Sequence, residues 1–272
     1  MEHSWPAFWR VGSGTPARAS PVGRTEQARW GAQGLKIWKP FGLHVRDEHG
    51  ALVAIDDRRL EPLWSTAGEL GFPVLIHVAD PVAFFDPVDQ TNERWEELHA
   101  HPDWQFPSPP FPSFMTIMNG LATLVAQHPQ TTFIGAHVGC YAENLGWVSA
   151  LLDRCPNFYV DFSARIAELG RQPYSTRRFF LQYADRILFG TDASPDLDAY
   201  RLYYRFLETD CTTVSWKPMT SISTTGRPPF PDRVAGQFTA CTYRMRSYRK
   251  STFRMRSAFF YQSTASTPVR IT

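Results

Sequence analysis

The chain has 272 residues and a mass of 31.0 kDa. It is 43% hydrophobic and 14% aromatic, enough apolar material for one large domain or two small ones. Only 17 glycines exclude a collagen-like class, and a charged fraction of 20% with a net charge of +2 excludes a charge-driven disordered one. The four cysteines (Cys140, Cys155, Cys211 and Cys241) have no C-x-x-C spacing, which excludes a zinc ribbon and a disulfide-stapled scaffold.

Residues 1–30 are irregular, with Trp5, Trp9 and Trp30 scattered among Gly, Pro and Arg. Between residues 31 and 210 the pattern changes. Continuous apolar runs at 34–38, 73–78, 132–138, 157–162 and 186–190 read as strands buried on both faces of a parallel sheet. Helical periodicity lies between and after them. Residues 58–70 put Leu60, Leu63, Trp64, Ala67 and Leu70 on one stripe, stopped by Gly71. Residues 114–127, 143–152, 173–183 and 197–207 behave similarly. Residues 92–101 (NERWEELHAH) read as an exposed, charged helix covering a site. They lie in a Pro-rich stretch, 81–112, too long for an ordinary connection. Strand–helix alternation predicts βαβ units and an α/β fold with a parallel sheet.

No apolar run approaches the roughly 20 residues that span a bilayer, and no signal-peptide order is found. A cytoplasmic location without membrane contact is therefore expected.

In a (β/α)₈ barrel the site gathers at the C-terminal ends of the strands. His77, His137, Asp161 and Asp192 all fall there, with Ser163 and Arg165 just past Asp161 and Lys36 within the first strand. Two imidazoles and carboxylates converging on one axis suit a divalent metal. Each residue also has a plainer reading. A histidine ending a strand can be structural, Asp192 can cap the next helix, Lys36 can snorkel, and Arg165 can lie on the surface. His44, His49, His99, His101 and His128 read as solvated.

The segments GLKIWKPFGL (34–43), PVLIH (73–77), TFIGAHVG (132–139), NFYVDFSAR (157–165) and RILFGTDAS (186–194) together resemble the amidohydrolase-related metal-dependent hydrolases, and among them the aminocarboxymuconate-semialdehyde decarboxylase-like branch. The resemblance covers residues 31–210 in one collinear order. It implies a distorted (β/α)₈ TIM barrel with a divalent metal, zinc or alternatively manganese. His77, His137 and Asp192 match metal ligands. His137 and Asp192 also match catalytic proton-transfer groups. Asp161, Ser163, Arg165 and Lys36 are expected at the substrate, with Arg165 suited to a carboxylate. The expected reaction is metal-assisted hydrolysis of a C–N or C–O bond, or non-oxidative decarboxylation, of a small organic molecule.

The family's first-strand His-x-His pair has no counterpart upstream of Lys36. The barrel is therefore expected to lack its first strands and to expose an open edge that favours homo-oligomers. Residues 211–272 carry ten Lys or Arg against one acid, Asp232, and no Leu or Glu. This basic tail is expected to be disordered. A shifted reading frame near Asp210 accounts for it. Back-translated and read from the third base of each codon, residues 219–225 can encode DEYFDY and residues 244–260 can encode DEVLQKVYFQNAERLL, both like the family's C-terminal segment. Two competing expectations are an inactive barrel fragment and nucleic-acid binding through the tail, the latter disfavoured by the frame-shift account.

Overall fold

A computed structural model describes residues 33–193 and 196–208. The irregular segment expected at 1–30 and the basic tail expected at 211–272 lie outside the described residues.

All five expected strands are present: β1 (Leu35–Ile37), β2 (Val74–Ile76), β3 (Phe133–Gly135), β4 (Phe158–Asp161) and β5 (Ile187–Leu188). They form one parallel sheet in the order β1-β2-β3-β4-β5. The crossovers carry α1 (Glu61–Glu69), α2 (Trp95–Ala100), α3 (Phe114–Gln127), α4 (Leu145–Arg154), α5 (Ile166–Gly170) and α6 (Pro173–Gln182). Helix α7 (Leu197–Glu208) follows β5. Parallel crossovers are right-handed, so a strand order that never reverses puts its helices on one side. This is part of a (β/α)₈ barrel rather than a doubly wound sheet, whose order reverses at a switch point.

The register agrees. Ile37, Ile76, Gly135, Val160 and Ile187 lie in one row across the sheet, and the apolar side chains of that row are buried. One residue back, Lys36, Leu75, Ile134 and Tyr159 form the opposite row, and all four are only half-buried. The first face packs under the helices, with Trp64 of α1 and Met118, Leu121 and Leu124 of α3 fully enclosed. Burying each such side chain stabilises the fold by roughly 1.5–3 kcal/mol.

Local chemistry sets the ends of the elements. Ser113 Oγ accepts the Thr116 N–H at 3.2 Å and starts α3. Asn144 Oδ1 accepts the Trp147 N–H at 3.0 Å, so α4 begins two residues later than the apolar pattern suggests. Arg58–Leu60 is a 3-10 turn leading into α1, and Gly71, at φ +64°, ends that unit. The run at 132–138 leaves the sheet after Gly135, where the chain turns left-handed.

Three expectations need correction. The helix in the 81–112 insertion is shorter than expected, and it is not simply an exposed charged face. Leu98 is fully buried, and Arg94, only 16% exposed, pairs with Glu97 and Glu168. Phe84, Leu98 and Phe106 of the insertion belong to the core. His128 is not solvated either: it is 7% exposed, with Nε2 3.1 Å from a Glu61 carboxylate oxygen. Lys36 sits in the middle of β1 and is half-buried, so it does not snorkel from a strand end.

Candidate active site at the strand ends

Parallel pairing brings the ends of β2, β3, β4 and β5 side by side, and the predicted polar residues follow. The rings of His77 and His137 meet edge to face with centroids 4.5 Å apart. His137 Nε2 lies 3.7 Å from Asp192 Oδ2. Burial lowers the Lys36 pKa, against the opposing influence of the Asp161 and Asp192 carboxylates nearby. Arg165 is close enough to His137 and Asp192 to affect both. At 8% exposure Arg165 is not a surface residue, which settles that alternative against the surface reading. Asp192 does not cap the following helix. Asp196 does so by accepting the Ala199 N–H at 2.9 Å.

The backbone that carries His137 is unusual. His137, Val138, Gly139 and Cys140 all have positive φ, from 58° to 64°. A left-handed conformation costs a non-glycine residue about 1–2 kcal/mol, and a β-branched valine is the least suited to it. Such strain clusters at functional sites. The turn folds back over β3 so tightly that a Cβ on Gly135 would stand 2.7 Å from Gly139 Cα and 2.7 Å from Phe158 Cζ. Asp161 Oδ1 accepts the His137 N–H at 3.0 Å and the Ser163 N–H at 3.0 Å, and it also accepts the Ser163 hydroxyl.

The ring nitrogens of both histidines are assigned by their carbonyl partners. His137 Nδ1 lies 2.9 Å from the Ser163 carbonyl. A carbonyl only accepts, so Nδ1 carries the proton and Nε2 keeps a lone pair. His77 Nε2 lies 3.1 Å from the Ala79 carbonyl, so its bare nitrogen is Nδ1. Burial, then the nearby charge of Arg165, hold His137 well below the usual imidazole range. Burial also lowers His77, although Asp80 opposes it. Both rings are neutral near pH 7. Burial raises the Asp192 carboxyl, and Lys36 and His77 oppose that rise.

Several participants escaped the sequence reading. Asp80 is 9% exposed and binds Lys39. Burial would raise its carboxyl, but the neighbouring His77 ring, with Nε2 3.7 Å from Oδ1, and the Lys39 charge outweigh that and hold it well below the usual carboxylate range. Glu168 is 1% exposed and pairs with Arg94. Burial opposes its ionisation, and the charges of Arg165 and Arg94 restore it. The Tyr203 hydroxyl accepts the Ala164 N–H at 2.7 Å and donates to the Thr191 carbonyl at 3.2 Å. It thereby ties together the loops after β4 and β5. The sequence holds weak signals for two of these: Asp80 and Glu168 each stand three residues after a predicted site residue, His77 and Arg165.

Two imidazole lone pairs and a carboxylate are suitable donors for a divalent cation. Among the described residues, however, no three His, Cys, Asp or Glu side chains form a group that could hold a metal ion. The described side chains therefore do not make a metal site by themselves. Also among the described residues, no helix is long and apolar enough to cross a membrane.

Comparison with solved structures gives distant likenesses. An uncharacterised TIM-barrel protein from Bordetella bronchiseptica is 17% identical, with 67% of this chain and 53% of that one covered and a TM-score of 0.41. The 2,6-dihydroxybenzoate decarboxylase from Rhizobium is 20% identical over 70% of this chain and 62% of that one, with a TM-score of 0.43. A dihydroxybenzoic acid decarboxylase from Polaromonas sp. JS666, with bound manganese and the inhibitor 2-nitroresorcinol, is 18% identical over 57% and 49%, with a TM-score of 0.36. The chain thus spans between about half and two thirds of these relatives' lengths. No curated protein matches. The family comparison matches residues 15–213, well over half of the sequence, to the amidohydrolase family. On that extent of match, with the parallel barrel sheet beneath it, the chain belongs to the amidohydrolase family.

Proposed function

We propose that the chain carries part of the active site of an enzyme acting on a small organic substrate, and that its own contribution is proton transfer at His137 Nε2. The observation behind this reading is the setting of His137. A buried neutral imidazole has one nitrogen tied to a carbonyl and the other left bare beside Asp192. A general acid/base needs that arrangement. Asp192 stabilises the imidazolium that forms when Nε2 takes a proton. Lys36 and Arg165 supply positive charge on the same side, suited to an anionic group of the substrate. Hydrolysis of a C–N or C–O bond and non-oxidative decarboxylation both use such a proton-transfer group.

A divalent metal, zinc or manganese, belongs to this reading if ligands beyond the described residues complete the set begun by His77, His137 and Asp192. The test has two parts. Purified chain is equilibrated with zinc or manganese, and bound metal per chain is measured for the parent and for His77→Ala. The loaded protein is then assayed against a panel of small amides, lactones and aromatic carboxylates. About one ion per chain, lost in His77→Ala, together with turnover abolished in His137→Asn, is the expected result. A chain that binds no metal and turns over nothing is the inactive fragment instead.

A further inference from the structure

We propose that Asp161 is a positioning residue: it fixes the backbone of His137 directly and its ring tautomer through Ser163, and it does not contact the substrate through Oδ1. The inference deepens the proposed role of His137 and rests on that reading for its functional meaning alone.

The register puts it in place. Gly135 at the end of β3 pairs with Val160 of β4, so the next residue of β4, Asp161, stands beside the chain as it leaves β3. There the chain enters the left-handed turn of His137 to Cys140. Four successive positive-φ residues need an external restraint, because three of them carry a Cβ. Asp161 Oδ1 supplies it at the first of the four by accepting the His137 N–H at 3.0 Å.

The same oxygen accepts the Ser163 N–H at 3.0 Å and the Ser163 hydroxyl. Residues 161–163 are thereby curled into a tight turn, and the Ser163 carbonyl reaches His137 Nδ1 at 2.9 Å. Both the main-chain N–H and the ring Nδ1–H of His137 are thus anchored to one three-residue segment held by one carboxylate oxygen. With three donors on it, that oxygen has no remaining capacity for a substrate. Outer partners of this kind set which imidazole nitrogen reacts. Free imidazole side chains favour the proton on Nε2. This arrangement imposes the opposite tautomer and leaves Nε2 bare toward Asp192.

The test reads the ring and not turnover. The full chain is labelled with ¹⁵N in its histidines, and the His137 ring signals, identified by their loss in His137→Gln, report the tautomer at one neutral pH. The parent is expected to show the Nδ1–H form. Asp161→Asn keeps an acceptor oxygen at the same place and is expected to retain that form. Asp161→Ala is expected to lose it, with Nε2–H becoming the majority form. A folded Asp161→Ala that keeps Nδ1–H overturns the proposal. Should Asp161→Ala fail to fold, loss of the Nδ1–H form in folded Asp161→Asn overturns it equally. If the tautomer behaves as expected but no substrate is turned over, the positioning stands and the proposed function falls. If turnover depends on His137 while the tautomer ignores Asp161, only the positioning falls.

Discussion

Tyr203→Phe removes a single oxygen that holds two loops. The parent hydroxyl accepts the Ala164 N–H at 2.7 Å and donates to the Thr191 carbonyl at 3.2 Å. Burial raises its pKa, so it stays protonated and able to donate. The ring is fully buried against Phe162 and Phe189, with centroids 5.5 and 5.9 Å away, and phenylalanine keeps that packing. What is lost is one net hydrogen bond at the Thr191 carbonyl, about 0.5–1.5 kcal/mol, and the partner of the Ala164 N–H, about 1–3 kcal/mol if water does not replace it. Ala164 is only half-buried, so water recovers part of the second figure. The expected loss is about 2 kcal/mol, roughly a thirty-fold shift in the folding equilibrium. Urea unfolding followed by tryptophan fluorescence should show a lower midpoint at an unchanged slope. A loss below about 0.5 kcal/mol would refute the idea that this hydroxyl tethers the loops after β4 and β5.

Three further outcomes can be checked in the same way. Arg94→Met removes one of the two cations that keep the Glu168 carboxylate, 1% exposed, ionised; because Arg165 remains, a loss of about 3 kcal/mol, the low end for a broken buried pair, is expected, and adding Glu168→Gln should recover much of it in the same unfolding assay. Gly135→Ala drives a Cβ into Gly139 Cα and Phe158, and a loss of about 1–3 kcal/mol or more by chemical denaturation is expected because the nearer contact is backbone. Glu143 is raised by burial and by the neighbouring Glu168 charge, so its protonated form is favoured in the native state. Its stabilising contribution is present below the ordinary value of 4.5 and is lost as pH rises through the raised value. Glu143→Gln keeps an acceptor for the Val82 N–H and should be more stable than the parent at pH 7. Melting curves at pH 7 and at pH 4 should show that advantage vanish on acidification; an equal advantage at both would remove ionisation as its cause.

Much of the architecture was legible from residue order alone. The strands β1 to β5 lie in largely apolar runs because one face packs under the helices and the other is half-buried, the setting of a parallel barrel strand. Helix α3 matched its predicted bounds, since its stripe and its Ser113 cap are both local signals. The positions of His77, His137 and Asp192 at strand ends followed from the same pattern. What the sequence could not show depends on contacts between distant residues. The left-handed turn at His137 is imposed by close packing on Phe158 and by Asp161, 24 positions away. The pair of Arg94 with the buried Glu168 spans 74 positions, and Lys39 finds Asp80 across 41. His128 reads as a polar loop residue until Glu61 is brought beside it. Periodicity reports which face of an element is buried, because that is a property of neighbouring residues along the chain. Which charge meets which, and which imidazole nitrogen is left bare, is decided only when the sheet register brings separate strand ends together.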